Sequence, residues 1–218
     1  MSFYSKNKWY IIGGLGILGL GVLTAFLLES FKLIKNRNPK KILFVGDSIS
    51  TGASTYPAKI KSRRSDLDID VVAQGGKRTD WMLDNLRDKL DTKKYDRVYI
   101  YGGVNDAFSS VKIPTIYQNL QSMVDLINKN GADAFIIEGY VVDGFMDLSK
   151  FKPSKYVTDV NDFIPIIAKY KDYQSGISKN IKNASFVKPI NLGDRTGDGI
   201  HPNQEGQEII TEKILSTL

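Results

Sequence analysis

Among its 218 residues the chain has no cysteine and only one histidine, His201. Without cysteine there is neither a disulfide framework nor a thiolate metal site, and one imidazole excludes a histidine-rich zinc centre. Carboxylate-bound magnesium or calcium is left without support, so no metal or other cofactor is expected. A basic surplus outside the first residues is also missing. The formal net charge is +6, but residues 1–41 hold seven of the 30 Lys/Arg and one of the 24 Asp/Glu, so 42–218 balances at 23 of each. A neutral domain exerts little pull on phosphates, and nucleic acid is not an expected partner. No internal repeat or low-complexity tract is present, and the length suits one well-buried domain.

What is present first is an uncharged run from Trp9 to Leu28. Twenty residues at the helical rise span ~30 Å, about one hydrocarbon core, which predicts a transmembrane helix. A cleaved signal peptide is the rival reading, but its apolar core is usually ~7–15 residues and no clear small-x-small cleavage site follows. The expected organisation is a basic tail (1–8), a signal anchor (9–28), a basic juxtamembrane linker with Pro39 (29–40) and a domain over 41–218. Counting Lys and Arg puts that domain in the cytoplasm, because Lys32, Lys35, Arg37, Lys40 and Lys41 follow the run while only Lys6 and Lys8 precede it. An uncleaved signal anchor exports it instead, and the sequence leaves the side open. Five glycines lie in the run, but no G-x-x-x-G pair marks a self-association face, and the oligomeric state is open.

Beyond the linker, short apolar runs alternate with helical patterns. Ile42–Val45, Ile69–Ala73, Val98–Tyr101, Ala134–Ile137 and Ala184–Val187 read as strands, rich in β-branched and aromatic residues. Tyr56–Arg64, Thr79–Leu90, Pro114–Asn130, Val160–Lys179 and Pro202–Leu218 read as helices. In the third, Ile116, Leu120, Met123, Val124 and Ile127 fall on one face, and Gly131 stops it. Strict alternation implies right-handed crossovers and a three-layer α/β/α sandwich around a five-stranded parallel sheet, of the flavodoxin-like kind. Ligands of such sheets bind at the carboxyl ends of the strands.

Three polar motifs fall at those ends: Gly46-Asp47-Ser48, Gly75-Gly76 and Gly102-Gly103-Val104-Asn105-Asp106. A fourth, Asp198-Gly199-Ile200-His201-Pro202, contains the lone histidine. A serine hydroxyl is a poor nucleophile unless a base takes its proton, and the base works best when a carboxylate fixes its tautomer. Ser48, His201 and Asp198 supply those three residue types. With these blocks in this order, residues 41–218 resemble the SGNH hydrolases, also called the GDSL esterase/lipase family.

The resemblance implies Ser48 as nucleophile, His201 as base then acid, Asp198 as orienter of the imidazole, and an oxyanion hole from Ser48 N–H, Gly76 N–H and the Asn105 side chain. Block two departs from the family pattern, since Ala73-Gln74 stand where an asparagine often precedes the glycine. The donor therefore lies between Gly75 and Gly76, with Gly76 favoured because Lys77-Arg78-Thr79 leads straight into a helix. Asp47 and Asp106 are expected to bond loop amides, with tuning of His201 or cation binding as the alternative. Together with Gly75, Tyr101, Phe108 and Tyr140 they are also candidates to line a substrate pocket. The irregular stretch Val141–Asp159 is expected to shape access.

Gly46-Asp47-Ser48-Ile49-Ser50 lacks the last glycine of a G-x-S-x-G elbow, which argues against the α/β-hydrolase fold, and Arg78 stands where a phosphate loop needs Ser or Thr. The expected protein is thus a membrane-anchored serine esterase acting on a small acyl ester, an O-acetylated glycan or a lipid such as a lysophospholipid. A non-catalytic glycan- or protein-binding module and an O-acyltransferase are the alternatives.

Overall fold

The computed structural model describes residues 39–142, 159–196, 198 and 200–218. The expected span 9–28 and most of the stretch 141–159 lie outside the described residues. Among the described residues no helix is long and apolar enough to cross a membrane.

Five strands, β1 (Lys41–Gly46), β2 (Asp68–Ala73), β3 (Arg97–Ile100), β4 (Asp133–Ile137) and β6 (Ser185–Val187), form one parallel sheet in the order β2-β1-β3-β4-β6. Their composition follows their position. The central strands β1 and β3 are covered on both faces, so every residue of β3 and all but Lys41 of β1 are buried. Edge strand β2 buries only Ile69, between Asp68 and Asp70, and leaves Val71 exposed. A two-stranded parallel ribbon that the sequence pattern does not reveal, β5 (Tyr140–Val142) with β7 (Ile190–Gly193), extends beyond the main sheet.

The helices are α1 (Tyr56–Arg63), α2 (Thr79–Thr92), α3 (Val104–Ala107), α4 (Ile113–Lys129), α5 (Val160–Asn180) and α6 (Gln204–Leu215). They fall into two packed groups, α1 with α6 and α2 with α4 and α5. Right-handed crossovers require this: β1→β2 steps one way along the sheet, and the later crossovers step the other way and cover the opposite face. The reversal occurs between β1 and β3, so the crevice of the fold opens where β1 ends at Gly46 and β3 ends at Ile100.

Two further details set the site's frame. Helix α3, a single turn that strand-and-helix periodicity does not predict, starts from Gly103 at φ 96°, a left-handed conformation. A β-carbon there would lie 2.3 Å from Tyr173 Cζ, so only glycine fits. The neighbouring helix α2 lacks a side-chain cap of its own, because its N-cap residue is Arg78. Asp106 of α3 replaces it from across the fold, accepting from Thr79 N at 3.0 Å and Thr79 Oγ1 at 2.7 Å. Burial raises the Asp106 carboxyl above its ordinary range, and the Thr79 bonds partly offset that.

Asp106→Ala removes the acceptor of a buried helix-terminal N–H and of a buried hydroxyl. We expect it to lower unfolding free energy by about 2–3 kcal/mol, read as a drop in the urea midpoint at unchanged m-value.

Candidate active site

At the end of β1 the chain turns sharply, with Ser50 N bonded to Asp47 O at 3.1 Å, and Ser48 stands half-buried on the turn. His201 approaches from a loop 153 residues later. Its position is fixed from both sides: Thr196 and Pro202 form an antiparallel bridge, and Asn203 N donates to Arg195 O at 3.0 Å. Pro202 lies outside the last helix, which departs from the predicted start. The N-cap is Asn203, whose Oδ1 accepts from Gly206 N at 2.9 Å. His201 therefore precedes α6 and remains exposed.

The structure brings the three residues into one row. Ser48 Oγ is 3.0 Å from His201 Nε2, and His201 Nδ1 is 2.7 Å from Asp198 Oδ2. The other Asp198 oxygen accepts from Ile200 N at 3.0 Å and His201 N at 2.7 Å. Desolvation pushes the Asp198 carboxyl up, but its bonds from the His201 backbone, the His201 ring and Ile200 outweigh that and hold it below the ordinary value. An ionised Asp198 facing Nδ1 keeps the ring proton on that nitrogen and leaves Nε2 free to accept from the serine.

Around Ser48 lie the groups of a polar hole. Among the described residues the backbone N–H groups of Ser48, Gly75 and Gly76 have no intramolecular acceptor. Gly75 sits against the serine, since a β-carbon on it would be 3.7 Å from Ser48 Cβ, and Gly76 takes φ 73°. Asn105 Nδ2 donates to Lys77 O at 3.0 Å and to Asp47 Oδ2 at 3.3 Å, which ties the three strand-end loops together.

Five residues considered as pocket lining, Asp47, Asp106, Tyr101, Tyr140 and Phe108, are not among those lining the cleft that contains Ser48 and His201. Asp47 and Asp106 are 0% and 1% exposed, and both are spent on internal donors: Asp47 Oδ1 accepts from Ile49 N at 3.0 Å. Tyr101 and Tyr140 are buried and stacked, with ring centroids 6.0 Å apart, and Phe108 packs against the core. The reason is the same for each: loops crossing the end of a buried sheet need acceptors and apolar volume beneath them. Tyr140 has a positioning contact instead, its hydroxyl donating to the Ile200 carbonyl beside His201. The cleft that contains Ser48 and His201, about 210 Å³, is lined by Ser54, Thr55, Asn203 and Gln207 among others.

Gln207 is the residue that sequence reasoning missed. Buried on α6, it donates from Nε2 to Ile49 O at 3.1 Å and accepts at Oε1 from Tyr56 N at 2.8 Å. The signal was available: Gln207 lies on the same helical stripe as Ile210 and Ile214, and a polar residue in an apolar stripe calls for buried partners. Among the described residues no cluster of three or more His, Asp or Glu could hold a metal ion.

A parallel α/β sheet carrying Ser48, His201 and Asp198 in relay at its switch point has the layout of a serine ester hydrolase. The model of the GDSL-like lipase/acylhydrolase family matches residues 44–209, and the chain belongs to that family. It is 26% identical over 188 residues to an arylesterase of Vibrio mimicus, covering 82% of this chain and 88% of the relative. Among solved structures, TesA matches with a TM-score of 0.56 at 23% identity, covering 82% of this chain and 98% of TesA. An acetyl xylan esterase, AlAXEase, matches at 0.59 with 18% identity, covering 82% and 99%. The esterase EstA from Pseudoalteromonas sp. matches at 0.56 with 17% identity, covering 82% and 96%.

The buried Asp47 gives a stability test. Desolvation lifts its carboxyl to about 7, against the pull of Ile49 N and His201. The folded value exceeds the unfolded one, ~3.9, so the native state holds the proton more tightly. That stabilisation is complete below the unfolded value and is lost as pH rises from ~4 through ~7. Urea unfolding at pH 5 and pH 8 is expected to show wild type losing on the order of 1–3 kcal/mol between the two, with Asp47→Asn lacking that loss.

Proposed function

We propose that the chain is a membrane-anchored serine esterase that works through an acyl-enzyme on Ser48. The observation that best supports this is the continuous relay from Ser48 Oγ through His201 to Asp198, at 3.0 and 2.7 Å. In the first half-reaction Ser48 Oγ attacks the ester carbonyl as its proton passes to His201 Nε2. The tetrahedral intermediate collapses, and the departing alkoxide takes that proton and leaves as alcohol. In the second, His201 accepts a proton from water, whose oxygen attacks the acyl group. The acid leaves and the proton returns to Ser48.

Negative charge on the carbonyl oxygen is met by Ser48 N–H, by Gly76 N–H with its neighbour Gly75, and by Asn105 Nδ2. Asn105 is reached by releasing its longer bond, to Asp47 Oδ2 at 3.3 Å. Donors held in place before the charge develops cost no reorganisation when it does. The cleft of about 210 Å³ at Ser48 suits a short acyl group. The acyl ester is that of an O-acetylated glycan or of a lysophospholipid; the name of one structural relative, an acetyl xylan esterase, favours the first. The uncharged run Trp9–Leu28 with its basic flanks supports the anchor.

Two experiments test this. With a p-nitrophenyl acyl ester series, Ser48→Ala and His201→Ala are expected to abolish turnover and Asn105→Ala to lower kcat by ~10²–10³, with short acyl chains preferred. Undiminished activity of Ser48→Ala would falsify the mechanism. Cell fractionation is expected to find the full chain in the membrane pellet and residues 41–218 alone in the supernatant; a full chain in the supernatant removes the anchor but leaves the chemistry.

A further inference from the structure

A second cleft of about 510 Å³ adjoins the oxyanion loop, lined by Gly76, Lys77, Arg78, Asp80, Trp81 and Asp84. It shares no residue with the cleft that holds Ser48 and His201. Gly76 forms its wall, and Gly75, one residue back, sits against Ser48. An ester bound at Ser48 has an acyl half and an alcohol half; one cleft contains Ser48, and the other begins at Gly76, next in sequence to the glycine that sits against it. The smaller one lies below the ~300–1,000 Å³ usual for small-ligand sites and the larger one within it.

The lining of the larger cleft specifies a chemistry. Two cations and two carboxylates cancel, so it offers no net attraction to a charged ligand, yet it presents strong donors and acceptors at fixed points. Arg78 donates to Asp80 Oδ2 at 2.7 Å, and Trp81 N donates to Asp80 Oδ1 at 2.8 Å. Asp84 is exposed and accepts from Arg87 at 3.3 Å, and Lys77 Nζ lies over the Trp81 ring, 5.7 Å from its centroid, so a ring stacking on that face takes the ammonium's place. Among the described residues Trp81 is the only apolar side chain in the wall, packed against the core and partly open. A hydrocarbon tail finds one aromatic face among four charges. A ring with a C–H face and a rim of hydroxyls finds a partner for each.

We propose that this cleft receives the alcohol half of the ester and that the alcohol is a sugar residue, stacked on Trp81 with its hydroxyls bonded to Asp80, Asp84 and Lys77. The inference rests on Ser48 being the nucleophile. The sugar hydroxyl freed on acylation takes its proton from His201 and departs through this cleft, and water then releases the acid from Ser48.

The test compares a methyl glucoside bearing one O-acetyl group with ethyl acetate, using the full chain. Wild type is expected to prefer the glucoside. Trp81→Ala is expected to raise KM for the glucoside roughly tenfold, the scale of one lost packing contact in a pocket, while kcat/KM for ethyl acetate stays within twofold. Trp81→Phe restores part of the loss. Asp84→Ala, at an exposed position that does not threaten folding, raises the glucoside KM in the same selective way. Equal effects on both esters, or none on either in both variants, overturn the proposal. So does a Trp81→Ala defect confined to lysophosphatidylcholine, which assigns the cleft to a zwitterionic headgroup. Hydrolysis of ethyl acetate that persists in Ser48→Ala sinks the nucleophile assignment instead, a result distinct from Ser48-dependent turnover that ignores Trp81.

Discussion

The side-chain amide of Gln207 holds together two parts of the chain that sequence keeps far apart. Its Nε2 secures the carbonyl of Ile49, directly after Ser48, and its Oε1 satisfies the first N–H of α1, while its own helix starts three residues after His201. A Ser–His pair works only at hydrogen-bond distance, and two loops from opposite ends of a domain do not keep that distance unaided. The exposed ion pairs of the same helix pair, Lys59 and Arg63 with Glu208 and Glu212, contribute little by comparison, because solvent screens them. The buried amide cannot exchange its partners for water, so it sets the spacing.

The same economy governs the carboxylates beneath the site. Asp47 and Asp106 are each followed or preceded by a residue that matters for chemistry, and each is removed from solvent to hold loop amides still. Burial of a carboxylate costs free energy unless donors meet it, and the donors here are the backbone groups that the crevice leaves without strand partners. Rigidity at the mouth of the sheet is thus obtained with groups that never face the substrate. The tyrosines below them extend this support, with Tyr173 donating to Gly102 O at 2.8 Å and Tyr140 to the loop of His201.

Much of this was legible in the sequence. The five strands of the main sheet, their parallel order and the helices between them follow from apolar runs that alternate with helical stripes, since a strand covered on both faces leaves no room for polar residues. Ser48, Asp198 and His201 stood out by residue type and by the order of their motifs, and the fold sets their side chains in one row. What was not legible is non-local or short. The β5–β7 ribbon pairs three residues with four, too few for a period, and α3 is a single turn inside a motif. The inward placement of Asp47, Asp106, Tyr101 and Tyr140 depends on packing beneath the loops, which adjacency to a motif does not reveal. Trp81 reads in the sequence as one more apolar residue of α2, and only the fold sets it beside the glycine loop.

The separation of Ser48 from His201 also has a consequence for biosynthesis. The sheet's central strands β1 and β3 and edge strand β2 are all complete by residue 100, so Ser48 emerges from the ribosome into a framework that can begin to form around it. The imidazole, its carboxylate and the Gln207 amide arrive together, about a hundred residues later. On the proposed mechanism, the serine of a nascent chain has no base to activate it until this last segment has been made and has docked.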